Sequence, residues 1–384
     1  MRYHNTVLGS LMKAVSRRGF AAIVKRHDGD KYSKGFSSWD HLMALVFAQL
    51  GGLSSLREVE TVWNAQATHH YHLGSGPIRR STLSDANRRR PSAIFGEVFA
   101  QLSAVAADLL PRHGKAVLRL IDATPIPLTS LHKWADWNGR TRGLKTHVVD
   151  DPDADRPVHL EIAAATVNDV VVGRRQPIEP GATYVFDKGY ADYAWWRCLH
   201  EAGCCFVTRP KSNVPLYGRV ERPISQHDRQ TAGIQSDTVV KLASQQRARL
   251  PVPLRRIVLR REDGRVLTIL SNDLQRSAGE IAALYRQRWQ IELLFRWIKQ
   301  HLKIRAFLGR SENAIRLQLY AAMIAYLLLR VAARDSRPGL LALRFADLVR
   351  TRLLERRSVA ELDKPPPMPA TASGVQNQLT FTYA

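Results

Sequence analysis

Apolar and polar positions follow two different periods along this 384-residue chain, and the period changes near residue 115. Up to His113 it is helical. A capping-box pattern at Ser37 and Asp40 precedes HLMALVFAQL, Gly51 and Gly52 close that segment, and Ser55 with Glu58 repeats the device before LREVETVWN. From Lys115 the period becomes that of strands: AVLRLIDATPIPL, GLKTHVVDD and PVHLEIAAATV are three apolar or alternating runs joined by turn material, which predicts an antiparallel meander. ATYVFDKGY predicts a fourth strand, ADYAWWRCLHEAG a helix and CCFVTRPK a fifth strand. Between Ser212 and Asn272 the chain is polar and basic with short β-like pieces, RRIVLRRED and RVLTILSND, and reads as an insertion outside the main sheet.

Beyond the insertion the helical period returns. Around Tyr285 to Lys299, YRQRWQIELLFRWIK, an apolar arc is formed by Leu284, Ile291, Leu294, Phe295, Ile298 and Leu302. At about 100° per residue, Tyr285, Arg288, Glu292 and Lys299 fall within roughly 60° of one another beside that arc. One narrow stripe thus carries a phenol, two cations and a carboxylate along the border of buried structure. A lone acid hemmed in by donors and cations suits a metal ligand next to a phosphate backbone. The later apolar run Leu319 to Leu329 is too short to span a bilayer and reads as a buried helix.

Three strands, a connection, then strand, helix and strand is the order of a ribonuclease-H-like α/β layer. The expected architecture is therefore a ribonuclease-H-like mixed sheet flanked by helices, interrupted by a β-rich insertion and preceded by an all-helical domain. Its divisions fall at residues 1–113 (helical), 114–212 (first part of the core), 213–272 (insertion), 273–357 (second part of the core and C-terminal helices) and 358–384 (a Pro-rich tail expected to be disordered).

Charge narrows the partner. Lys and Arg number 57 against 34 Asp and Glu, a formal +23, which points to a polyanion and first to nucleic acid. A membrane is the rival, but no basic amphipathic anchor or lipidation signal is present. Between Ile281 and Ala360, sixteen Lys and Arg face five acids, and Arg79, Arg80, Arg88, Arg89 and Arg90 bracket a short helical candidate that could seat on DNA. The N-terminal stretch lacks the apolar core and cleavage site of an export signal, so the chain is expected in the cytoplasm. Cys198, Cys204 and Cys205 form no CxxC pair and are expected in the core.

Two strand-end acids complete the chemistry. Asp122 ends VLRLID and Asp187 ends YVFD, and an acid there is costly unless it is paired, hydrogen-bonded or coordinating a cation. With Glu292 they would make three negative charges that call for a hard divalent ion, and Mg²⁺ suits a few carboxylates plus phosphate oxygens. No GxxxxGK[ST] loop, HExxH or GxSxG offers another site.

On these residues the sequence resembles bacterial DD-E transposases of insertion sequences, in the family named IS-four, whose signature is Tyr, two residues, Arg, three residues, Glu, six residues, Lys. Tyr285, Arg288, Glu292 and Lys299 reproduce each interval, and Asp122, Asp187 and Glu292 lie 65 and 105 residues apart. The resemblance implies that Asp122, Asp187 and Glu292 are the catalytic triad holding two Mg²⁺ ions, with Mn²⁺ as a substitute. It implies that Tyr285, Arg288 and Lys299 hold phosphates at the element's ends. Lys145 and His147 in GLKTHVVDD, with Arg209 and Lys211 in VTRPK, would lie near the DNA. The expected activity is binding of terminal inverted repeats, cleavage, and strand transfer into double-stranded target DNA by a homodimer at the bacterial nucleoid. One departure stands out: relatives carry in the insertion a Trp that stacks on a flipped base, and no Trp lies here between Trp196 and Trp289, leaving Tyr217, Trp195 or Trp196 as stand-ins. A nuclease that never joins ends and a DNA-binding regulator without activity remain as alternatives.

Overall fold

In a computed structural model of the chain, residues 5–110, 116–137, 139, 142–243, 245–302, 306–334 and 342–364 are described. The N-terminal third is helical as expected: α1 (Val7–Met12), α2 (Arg17–Arg26), α3 (Ser38–Gly51), α4 (Leu56–Asn64), α5 (His70–Leu73), α6 (Arg80–Arg89) and α7 (Ala93–Leu109). Both arms of the Ser37–Asp40 capping box form, and Gly52 closes α3 at φ 69°, where a side chain would be strained. The second box is only half made: Ser55 accepts from Glu58 N, but the Glu58 carboxylate turns to Ser54.

The meander is present as β1 (Leu118–Pro127), β2 (Gly143–Asp151) and β3 (Arg156–Ala164), all antiparallel neighbours. After α8 (Asp169–Arg175), β4 (Thr183–Phe186) runs parallel to β1, and after α9 (Tyr193–Glu201), β5 (Cys205–Thr208) runs parallel to β4. Alternation sorts the side chains. Leu120, Val185 and Val207 join a core shared with the helices, whereas Ile121, Phe186 and Phe206 pack on Trp195 and Trp196 of α9 on the opposite face.

The insertion does not stand apart from the sheet. Its elements are β6 (Leu216–Glu221), α10 (Gln226–Ala232), β7 (Ile234–Leu242), α11 (Gln245–Arg249), β8 (Leu254–Arg260) and β9 (Val266–Ser271), and β9 pairs antiparallel with β5. One nine-stranded mixed sheet results, in the order β3-β2-β1-β4-β5-β9-β8-β7-β6. The physical reason is the open edge of β5, whose backbone groups need partners. Only two residue pairs join it to β9, and the Asn272 side chain extends the join by accepting from Phe206 N at 2.7 Å and donating to Cys204 O at 2.9 Å. Within the insertion Arg255 clasps Asp237 through Nε and Nη2, the latter at 2.6 Å, and also donates to Arg276 O just ahead of the next helix.

The stripe expected on one helix lies on two, α12 (Ala278–Gln287) and α13 (Trp289–His301), separated by Arg288 alone. Arg288 keeps helical angles, φ −51° and ψ −29°, so the stripe survives the break. α14 (Glu312–Arg334) contains the apolar run; the whole helix, unlike the run, is long and apolar enough to cross a bilayer at a mean hydropathy of 1.5, yet 78% of its apolar window is buried inside the protein. An all-round apolar helix is a core helix here, and α14 joins the N-terminal helices to the C-terminal ones in one core. α15 (Ala342–Arg352) follows, and residues 353–355 return to α1, with Glu355 O accepting from Val7 N at 3.0 Å.

Two smaller expectations change. Residues 358–364 of the tail are ordered, with a short 3-10 turn at Val359–Glu361 and Leu362 buried, while 365–384 lie outside the described residues. Cys204 is buried, but Cys198 is exposed and Cys205 is intermediate.

Candidate active site

β1 and β4 run side by side with Ile121 opposite Phe186, so the next residue on each chain is an acid, Asp122 and Asp187. Parallel pairing alone makes them neighbours. Asp187 leaves the last residue of β4, as expected, whereas Asp122 sits within β1 and not at its end. Thr124, two positions on, shares its face.

α13 closes the site from above and supplies Glu292. Arg288 Nη2 donates to Glu292 Oε1 at 2.6 Å, and Nη1 to Asp122 Oδ2 at 3.4 Å. Tyr285 Oη donates to Asp187 Oδ1 at 3.4 Å, and Lys299 Nζ donates to Thr124 Oγ1. All four stripe residues thus reach one another or the two acid-bearing strands.

The electrostatics show that the acids share one field. Burial pushes the Asp122 carboxyl up to about 6; the Ala123 N–H and Arg288 pull it down, and the charges of Glu292 and Asp187 raise it further. Burial also pushes the Tyr285 hydroxyl up to about 12, which keeps it a hydrogen-bond donor at neutral pH. For Arg288 burial opposes the charge, but Tyr285, Glu292 and Asp122 outweigh it, and its pKa is raised.

Among the described residues no three His, Cys, Asp or Glu stand close enough to hold a metal ion as they are. The Arg288 guanidinium instead stands between Asp122 and Glu292 and occupies their facing oxygens. The donors are all carboxylate oxygens, and the side chains of Asp122 and Glu292 keep 20% and 31% of their surface open. Such a set fits a hard divalent ion once the guanidinium gives way.

The other expected contacts divide. Arg209 is exposed just past β5, and its charge reaches the Tyr285 hydroxyl. Lys211 is exposed in the loop beyond. Lys145 is committed elsewhere, to Asp169 at 2.8 Å and Val167 O at 2.9 Å. His147, expected near DNA, is fully buried with Nδ1 3.0 Å from Tyr190 Oη, and burial lowers its pKa to about 4; a neutral ring inside the sheet layer is not on a DNA-facing surface. Trp195 and Trp196 are core residues and cannot receive a base, whereas Tyr217 is partly exposed on β6. In the basic cluster Arg79, Arg80, Arg88 and Arg89 are exposed, but Arg90 is buried.

Sequence reasoning missed Thr124 and Tyr190. Two-residue spacing from Asp122 would have put Thr124 on the acid's face. Nothing in the pattern marks Tyr190, which becomes His147's partner only through the turn after Asp187.

Residues 113–328 match the family described as "Transposase DDE domain", and residues 3–75 match a "Domain of unknown function (DUF4372)". A Sinorhizobium fredii protein named "Putative transposase y4zB" is 54% identical over 304 residues, covering 78% of this chain and 85% of its own. A Geobacillus stearothermophilus protein named "Probable transposase for insertion sequence element IS5377" is 31% identical over 333 residues, covering 86% and 85%. In overall shape the chain also aligns with a cryo-EM structure of a piggyBac transposase synaptic complex with hairpin DNA, at a TM-score of 0.47 and 10% identity over 99% of this chain and 88% of that one. The family match spans the strands that carry Asp122 and Asp187 and the helix that carries Glu292, and the two bacterial relatives extend the likeness over most of the chain: the protein belongs to the DDE-domain transposases of bacterial insertion sequences.

Proposed function

We propose that the chain binds the terminal inverted repeats of an insertion sequence, cleaves the ends and joins them to target DNA. The observation that supports this is the placement of Asp122 and Asp187 by adjacent parallel strands, with Arg288 linking Asp122 to Glu292 on the helix. The intervals among Tyr285, Arg288, Glu292 and Lys299 support membership of the IS-four group, and the strand order β3-β2-β1-β4-β5 supports a ribonuclease-H-like core.

In this reading Asp122, Asp187 and Glu292 are the ligands of Mg²⁺ or Mn²⁺, two ions being the expected number. When bound, these ions stabilise the attacking and leaving oxygens of an in-line phosphodiester exchange. The protein's own share is placement. Tyr285 orients Asp187 by hydrogen bonding, Arg288 balances the acids and turns to a phosphate when DNA enters, and Lys299, above Thr124, offers a second cation along the strand. Arg209 and Lys211 continue that basic border. The helical unit before residue 113 binds the ends, and two copies hold two ends together. A cytoplasmic, nucleoid-bound protein follows from that work.

The test is a pair of assays on duplexes bearing the element's end and on a supercoiled target. Replacing Asp122, Asp187 or Glu292 with Ala is expected to lower cleavage by at least about 1000-fold while leaving end binding in place. Wild-type protein that releases ends but never links them would be a nuclease. Three Ala variants that cut as well as wild type would overturn the site.

A further inference from the structure

Between α2 and α3 the chain makes a tight exposed loop, DGDKYSKGF (28–36), in which two non-glycine residues, Asp28 and Tyr32, take left-handed backbone angles, φ 50° and 62°. That conformation is costly for a side chain and is held by surrounding structure. The holder is Arg90. It is buried at the end of α6 and donates to Gly29 O at 3.3 Å, Ser37 O at 2.7 Å, Ser33 Oγ at 3.2 Å and Phe36 O. Gly29 adds a second lock, since a Cβ there would stand 2.5 Å from Ile94 Cδ1. One buried guanidinium therefore fixes the loop against α6, leaving a cleft of 710 Å³ between them.

The walls of that cleft are basic. Lys31 and Lys34 come from the loop, Arg79 and Arg89 from the two ends of α6, and Tyr32 stands at the rim, 91% exposed. Two acids also line it, Asp28 and Asp85, and Asp85 is already paired with Arg88 at 2.8 Å. Among the described residues Lys31, Lys34, Arg79 and Arg89 have no ion-pair partner, although Arg26, Arg88 and Arg90 close by all have one. The ten residues of α6 extend about 15 Å, which equals the axial rise of roughly four base pairs at about 3.4 Å each. Four cations without ion-pair partners around the cleft suit the phosphates of such a segment.

The geometry points to a phosphate-binding clamp for duplex DNA in this cleft, formed by Lys31, Lys34, Arg79 and Arg89 with the Tyr32 hydroxyl donating to a backbone oxygen. It deepens the proposed function, on which it rests, by giving the N-terminal unit a seat for the element's end some distance in sequence from the acids. Phosphate contacts position a duplex without reading bases, so the clamp sets affinity and register.

The test measures binding of an end duplex by fluorescence anisotropy across a salt series. With Lys31, Lys34, Arg79 and Arg89 all changed to Gln, the slope of log K against log salt is expected to shrink by about 3 to 4, with affinity at least about 30-fold lower at 0.1 M salt. Tyr32→Phe is expected to weaken binding several-fold with no change in slope. A charge-matched control, Arg174, Arg175, Arg197 and Arg265 to Gln, separates the clamp from net charge, and unchanged melting temperature shows the fold is intact. If the cleft variant binds like the control while wild type binds and cuts ends, the clamp is refuted and the proposed function stands. If wild type binds no duplex, both fall. Loss of binding to phosphatidylserine vesicles with duplex binding untouched would make the cleft a membrane contact and refute the clamp.

Discussion

The guanidinium of Arg288 sits between Glu292, 2.6 Å away, and Asp122, 3.4 Å away, and so joins a helix to a strand that it follows by 166 residues. A cation lodged between two carboxylates competes with any other cation for them. Arg288→Gln is expected to tighten Mn²⁺ binding to the DNA-free protein by about tenfold, measured by electron paramagnetic resonance titration, while cleavage falls. Unchanged or weaker Mn²⁺ binding would show that the guanidinium does not compete for the acids.

Tyr285 affords a cleaner separation of binding from chemistry. Its hydroxyl, pushed up to about 12 by burial, remains protonated through any practical assay range and bonds to Asp187 at 3.4 Å. Tyr285→Phe is expected to lower the single-turnover cleavage rate by about five- to tenfold with a parallel loss from pH 6 to 9 and little change in duplex affinity. A loss confined to high pH would contradict the assignment of a protonated donor.

Asp150 gives the pH dependence of stability. It is fully buried on β2, and burial, reinforced by Asp155 and Asp151, pushes its pKa up to about 8. A carboxyl raised above its unfolded value favours the fold most at low pH and loses that contribution as pH rises through the folded pKa. Asp150→Asn is therefore expected to leave the melting temperature near wild type at pH 4, close to the unfolded pKa, and to raise it by a few degrees at pH 9, above the folded one. Equal melting curves at both pH values would mean that Asp150 is not carrying a proton in the fold.

Asp237 and Arg255 test why the insertion joins the sheet. Both are buried, their pairing is bidentate, and Arg255 also reaches Arg276 O at the approach to α12. Asp237→Ala strands the buried guanidinium and is expected to cost about 3–5 kcal/mol in urea melts. Because α12 carries Tyr285, cleavage should drop as well, although the change lies far from the acids in sequence. Full activity with full destabilisation would uncouple the insertion from the site.

The periodicity of the chain exposes its elements better than their joins. Ser37 and Asp40 mark the start of α3, and the stripe from Tyr285 to Lys299 remains aligned even though Arg288 interrupts the helix, because that residue keeps helical angles. Short-range rules govern both features. The attachment of β9 to β5 depends on a free sheet edge, and its amide extension is supplied by Asn272, neither of which leaves a period in the sequence. His147 shows the same boundary: its run reads as a strand, but burial against Tyr190 depends on how the turn after Asp187 folds back. Arg90 looks like one more member of a basic cluster until the loop it secures is in place.

Asp122 and Asp187 are made neighbours by the pairing of β1 with β4, whereas Glu292 comes from a helix that the ribosome delivers 105 residues later. A nascent or truncated chain that stops before that helix lacks the third acid. On the proposed function, synthesis itself then acts as a safety interval, because the set of three acids is completed only once that helix has emerged.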